Sequence, residues 1–182
     1  FVPRTGVRRY KGGLDWTPRP GWSGVRQLEL TLDTEVFTDT GGELETWSTH
    51  VHPFGIGLES GDSGLIGSQI THDVLAADFE ISDGVVIPAG EYDFADVHLQ
   101  LETAETRRVS GELTASAGSF YDGHRDNYEA GLRWQPSPGF VTTASYEFND
   151  VALEGGSFDT QLAILRANFS FSPELSWNTF AQ

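Results

Sequence analysis

The 182 residues carry 27 acidic against 11 basic side chains, a formal net charge of −16. That balance argues against a nucleic-acid partner, because phosphate backbones want a basic stripe; the lack of any Cys excludes disulfides and thiolate metal sites. No stretch approaches the roughly 20 apolar residues of a membrane-spanning helix, yet a mean hydropathy of −0.30 leaves β-barrels open, since their strands are only half apolar.

One domain is the default at this length. The chain has no Met and opens on Phe1-Val2-Pro3-Arg4 with no apolar leader, so it reads as a piece of a longer protein whose export signal lies elsewhere. The acid excess fits an acidic barrel lumen and surface loops, and equally a soluble protein from a salty habitat.

The elements are strands, because apolar residues recur with period two. Val7–Thr17 sets Tyr10, Leu14 and Trp16 against Arg9, Lys11 and Asp15, and Pro18-Arg19-Pro20-Gly21 turns the chain. Val25–Phe37 opposes Leu28, Leu30, Leu32 and Val36 to Gln27, Glu29, Asp33 and Glu35. A third strand carries Trp47, Thr49 and Val51, then changes parity near Pro53, where a bulge absorbs one residue. Ser60–Gly64 makes a tight turn into a weakly alternating strand around Leu65–Val74. A long loop is expected from Asp78 to Glu91. Val97, Leu99 and Leu101 mark the fifth strand, and Val109, Leu113, Ala115 and Ala117 the sixth.

Further loops are expected at Phe120–Asp126 and Asn149–Ser157. Between them lies the clearest hairpin, with Tyr128, Ala130, Leu132 and Trp134 before Pro136–Gly139 and Phe140, Thr142, Ala144, Tyr146 and Phe148 after it. Ala163, Leu165, Ala167, Phe169 and Phe171 give a ninth strand, and Ser172-Pro173-Glu174 opens a tenth, Leu175–Gln182. From Ser60 onward tight turns and long loops alternate strictly on this reading, as in transmembrane barrels. The expected fold is therefore all-β: about ten strands of an antiparallel, up-and-down outer-membrane β-barrel, incomplete, with lipid as partner. An incomplete barrel has two open edges that lipid cannot satisfy, so the chain alone is expected to aggregate or curl.

The segments Gly84–Tyr92 (GVVIPAGEY), Gly118–Gly123 (GSFYDG), Asn149-Asp150-Val151 and Gly155–Phe158 resemble a bacterial family of unknown function. In that family a carbohydrate-binding-like (family-nine-type) β-sandwich precedes a C-terminal outer-membrane barrel. The opening Phe1–Gly6 resembles its run into the last barrel strands. The resemblance covers the whole chain and implies residues 1–182 are a partial C-terminal barrel domain, lacking upstream strands and the closing strand. It implies no catalytic residues, and it places sugar binding upstream, outside this sequence.

On the barrel reading Glu29, Asp33, Glu129, Arg133 and Glu147 face the lumen. Trp16, Trp47, Tyr128, Trp134, Tyr146, Phe148 and Trp177 form aromatic girdles at the lipid interfaces; sandwich core or a sugar-stacking platform are the competing uses. Other readings carry less. His50 and His52 share a strand face at a usable metal-ligand spacing, with Glu45 or Asp73 as a third donor, against two plain polar residues. His124 beside Asp122 and Asp126 suggests an oriented base, but no G-x-S-x-G nucleophile motif accompanies it, and Asp122-Gly123 reads as a turn. Asp78, Glu80 and Asp83 have the density of Ca²⁺ ligands without an EF-hand pattern, against solvated loop charge. Arg107 and Arg108 suit lipid phosphates or snorkelling. No metal, cofactor or catalysis is expected; the alternatives are a soluble all-β carbohydrate-binding module and, third, an outer-membrane hydrolase.

Overall fold

Period-two patterning builds one large sheet. The computed structural model describes residues 6–172 and 174–182, with the backbone alone of Phe171. Phe1–Thr5 of the opening motif, Pro173 of the last turn and the Phe171 side chain lie outside the described residues. Ten strands form a single antiparallel meander: β1 (Val7–Trp16), β2 (Val25–Asp39), β3 (Leu44–Leu58), β4 (Ser63–Leu75), β7 (Gly90–Glu102), β8 (Val109–Phe120), β9 (Gly123–Ser137), β10 (Phe140–Leu153), β11 (Gly156–Ser172) and β12 (Leu175–Ala181). A small hairpin, β5 (Phe79–Ser82) with β6 (Val85–Ile87), occupies the connection between β4 and β7. Each strand of the large sheet pairs with its chain neighbour, leaving β1 and β12 at the edges with no ladder between them among the described residues. There is no helix among these residues, hence none able to cross a membrane.

Register sorts the side chains onto two unlike faces. Tyr10, Val36 and Trp47 stand in one row, as do Leu14, Leu32 and Val51; Leu101, Leu113, Ala130 and Tyr146 make another. Among the described residues, eighteen of the twenty-four exposed large apolar side chains lie on this face, among them Leu14 at 72 %, Trp16 at 64 % and Leu132 at 54 % exposure. The opposite face is polar and more buried: Thr71, Asp73, Ser110 and Asn127 are among its buried residues. The sheet is thus inside out relative to a water-soluble fold, where apolar side chains go inward.

The sheet curls toward its polar face. Side chains from strands two apart meet there: His52 of β3 touches His98 of β7, and Tyr121, just after β8, donates to Asp73 of β4. The β5–β6 hairpin folds over the same end. Its Val86 backbone comes close to Gly155 in the β10–β11 turn, so the hairpin lies across β8 and β9. Val85 and Ile87 are buried, Ile87 completely, and Val151 of β10 is buried as well. These three account for most of the buried apolar side chains, a very small core for a chain of this length.

Three expectations need correcting. Phe120–Asp126 and Asn149–Ser157 are not long loops. The turns there are two residues each, Tyr121-Asp122 and Glu154-Gly155, and the strands run on to meet them. The apolar alternation fades before the hydrogen-bonded ladder does, because the outward face changes to Asp126, Asp150 and Asp159 on adjacent strands. The alternation of tight turns and long loops from Ser60 onward therefore fails, since beyond the β4–β7 connection the strands are joined by turns of two residues or by the six-residue β7–β8 connection. Pro136 and Ser137 belong to β9, with the turn confined to Pro138-Gly139. The bulge expected near Pro53 is present, since the β3–β4 register shifts between Val51 and Phe54.

Candidate functional site

The polar concave face is where the sequence-nominated charges come together. Glu29 and Asp33 of β2, Glu129 and Arg133 of β9 and Glu147 of β10 all share it. Several sit in same-face ladders of i, i+2 hydrogen bonds. Gln27 Nε2 donates to Glu29 Oε1 (2.7 Å), and Arg133 Nη2 to Gln135 Oε1 (2.5 Å). Asn127 Nδ2 donates to Asn149 Oδ1 and Asn149 Nδ2 to Glu147 Oε1, both at 2.8 Å. Glu129 and Glu147 stand directly opposite each other, a pairing that is destabilising in itself. With Glu112 they line a cleft of about 230 Å³. Neither forms an ion pair among the described residues.

At the hairpin end, Asp73 accepts from the Thr46 hydroxyl (2.6 Å) and the Tyr121 hydroxyl (2.9 Å). Phe94, Phe120 and Tyr121 cluster beside it with centroids 4.9–5.7 Å apart, and Arg125 lies 4.7 Å over the Phe120 ring. Tyr92 donates to the Pro88 carbonyl (2.8 Å). Burial, then the charges of Asp122, Asp78 and Glu154, pushes its phenol above the ordinary range.

The nominated aromatics occupy the other face. Trp16, Tyr128, Trp134, Tyr146 and Trp177 are exposed, and Trp47 and Phe148 half-buried. Trp16, Trp134, Phe140, Phe169 and Trp177 gather toward the β9–β10 and β11–β12 turn end, while Trp47, Tyr128 and Phe148 stand higher. Phe140 and Phe148 are eight positions apart on β10, ~26 Å along a strand.

The remaining nominations do not assemble. Among the described residues no group of three or more His, Cys, Asp or Glu side chains is placed to hold a metal ion. Glu45 sits at the irregularity that opens β3 and Asp73 is engaged by Thr46 and Tyr121, so neither completes a site with His50 and His52. His124 pairs with Asp126 (Nε2 to Oδ1, 3.0 Å) in the open, while Asp122 Oδ1 is buried with no hydrogen-bond partner. Asp78 and Glu80 accept from the Ala89 and Gly84 amides (2.9 and 3.0 Å), which makes them loop-shaping groups.

Sequence reasoning missed two clusters. His98 meets His52 across Gly67, a contact that only the register reveals. The other is a clasp between two neighbouring turns. Asp62 accepts from the Ala104 amide (2.9 Å), the Ser60 hydroxyl (2.8 Å) and Arg107 Nη2 (2.6 Å). These bonds, the Ala104 amide foremost, hold the Asp62 carboxyl below the usual carboxylate range. A carboxylate with a depressed folded pKa adds stability above its unfolded pKa and loses it as pH falls through the folded one. Protection of the Ala104 amide, measured against its intrinsic exchange rate at each pH, should therefore fall on acidification below the ordinary Asp range, and Asp62→Asn should show low protection nearly independent of pH. Equal protection in the two proteins would show the clasp to be irrelevant.

No protein-family model, no curated protein and no solved structure matches the chain.

Proposed function

We propose that the chain is a partial outer-membrane β-barrel domain from a bacterium, embedded in lipid through its apolar face and without catalysis of its own. The observation that carries this reading is the inverted sheet. Eighteen large apolar side chains about half exposed represent on the order of 14–27 kcal/mol of unrealised burial at ~1.5–3 kcal/mol for each full side chain. A whole domain is stable by only ~5–15 kcal/mol, so this face needs a partner. Two bands of aromatics favour lipid as that partner: ~26 Å apart along a strand, they are ~20 Å apart in height at a tilt of ~35–45°, comparable to the ~25 Å apolar band of outer-membrane barrels. The outward Asp126, Asp150 and Asp159 beyond the band suit strand ends that project into water. Strands upstream of β1 and beyond β12 would close the barrel, and the carbohydrate-binding-like sandwich implied by the family resemblance would precede them.

Carboxylates of β2, β9 and β10 dominate the concave face, so a pore through this barrel would favour cations over anions. A soluble sugar-binding module has no use for an exposed apolar face of this extent, and Ser119, which stands opposite His124 on β8, bonds to the Ala95 backbone and not to the imidazole, which leaves a hydrolase without an activated nucleophile there.

The test is quenching by brominated phospholipids, with Trp16, Trp134 and Trp177 each retained singly in bilayer-refolded protein. Strong quenching of all three is expected. A water-soluble monomer with none of them quenched rules the barrel out.

A further inference from the structure

Beyond the barrel reading, and independent of it, the concave face contains an imidazole pair organised around a missing side chain. Gly67, in the middle of β4, is buried, with β3 on one side and β7 on the other. A Cβ placed on it would collide with Cδ2 of His52 and with Nε2 of His98. The glycine is thus the gap that lets the two rings meet, 5.3 Å between centroids at an interplanar angle of 88°. The edges they bring together are the ones bearing nitrogen: His98 presents Nε2 itself, and His52 the carbon bonded to its Nε2.

Asp96 fixes the chemistry of one ring. Its Oδ1 lies 3.4 Å from His98 Nδ1, and because a carboxylate can only accept, this long contact favours the tautomer with the proton on Nδ1 and the electron pair on Nε2. A carboxylate behind an imidazole is the arrangement that orients metal-ligating histidines and raises their basicity. His50 stands two residues from His52 on the same face, opposite Asp33 and Gln69.

We propose that His52 and His98 form a two-imidazole site for a divalent transition-metal ion of the Cu²⁺ or Zn²⁺ class, with Asp96 as the positioning residue. Imidazole nitrogen suits both ions, and Cu²⁺ binds tightest in the divalent series. Metal–nitrogen bonds of ~2.0–2.1 Å require the Nε2 atoms ~3 Å apart, which ring rotation over the side-chain-free Gly67 allows. Two protein donors leave the rest of the shell to solvent, so bound metal exchanges readily.

The experiment uses the 182-residue chain in detergent micelles, its folded state checked by circular dichroism. His72 and His124 are replaced by Gln to remove the outward imidazoles. One equivalent of Cu²⁺ is added at pH 7.5, and the number of bound imidazoles is counted by electron spin echo modulation. Two imidazoles are expected, falling to one in His52→Gln and in His98→Gln, each with at least ten-fold weaker binding in competition with glycine. Asp96→Asn should keep both imidazoles and weaken binding ten-fold or more. Gly67→Ala should also lose the two-imidazole signal, but the His variants decide the matter because they leave the backbone unstrained. Two imidazoles persisting in His98→Gln would assign the ion to His50 and His52 and overturn the proposal. One imidazole or none in the parent would overturn it as well.

Discussion

Leu132→Arg in the completed barrel is expected to block its insertion into bilayers if the outward face is a lipid face. Leu132 lies on the outward face of β9 between the Tyr128 and Trp134 aromatics, with Gly111 and Ala144 as its cross-strand neighbours. An Arg near the midplane of a barrel's lipid face costs about 2–4 kcal/mol, a factor of roughly 30 to 1,000 in partition. An apolar-to-charged change at an exposed site of a soluble sheet costs within about 0.5 kcal/mol. Co-sedimentation with liposomes separates these outcomes. The matched change Glu129→Arg, one face across and three positions away, should insert normally. If Leu132→Arg inserts as well as Glu129→Arg, the outward face is not the lipid face.

That contrast rests on a feature legible in the sequence. Tyr128, Ala130, Leu132 and Trp134 alternate with Glu129, Gly131, Arg133 and Gln135, and a period of two leaves one way to place them on a strand. The same arithmetic set Glu29 and Asp33 opposite Leu28, Leu30 and Leu32, so the two faces and the ten strands of the large sheet follow from patterning. Strand ends were illegible for a physical reason. Above the apolar band both faces are polar, as with His124, Arg125 and Asp126, and a strand wet on both sides looks like a loop while its backbone ladder continues. Contacts between strands two apart were also hidden. His52 and His98 are 46 positions apart, and their meeting depends on the register of β3, β4 and β7 together with the bulge at Pro53. Asp62 and Ala104 belong to different turns that only the β4–β7 pairing brings side by side.

The hairpin is the clearest case of structure that periodicity could not reveal, and it yields the second large effect. Val85-Val86-Ile87 sits between Asp83-Gly84 and Pro88, a setting that reads as loop. Here it is a short strand whose alternate residues Val85 and Ile87 are buried while Val86 is exposed. Gly84, at φ +74°, makes the turn that returns the chain from β5, a conformation that costs glycine little. Ile87 has no exposed surface at all, so Ile87→Asp places a carboxylate where an alkyl chain was, adding an ionic penalty to the ~2–5 kcal/mol expected for loss of a buried Ile.

Among the described residues the hairpin is held to the concave face mainly by these few apolar contacts, with the Tyr92–Pro88 hydrogen bond at its root, whereas the large sheet has its own ladders. Ile87→Asp should therefore release the hairpin and leave the strands intact. Limited proteolysis is expected to cut near Gly84 at least ten-fold faster, with amide exchange rising at Val85 and Val86 but not in β9 or β10. In bilayers containing the completed barrel, the same variant should pass cations more readily, because the segment lying across β8 and β9 is the one that covers that end of the concave face. Unchanged cleavage would mean that the hairpin is held by something other than Ile87. Faster cleavage with unchanged conductance would mean that the hairpin covers no pore, and would leave anchoring in the membrane as the role of the barrel.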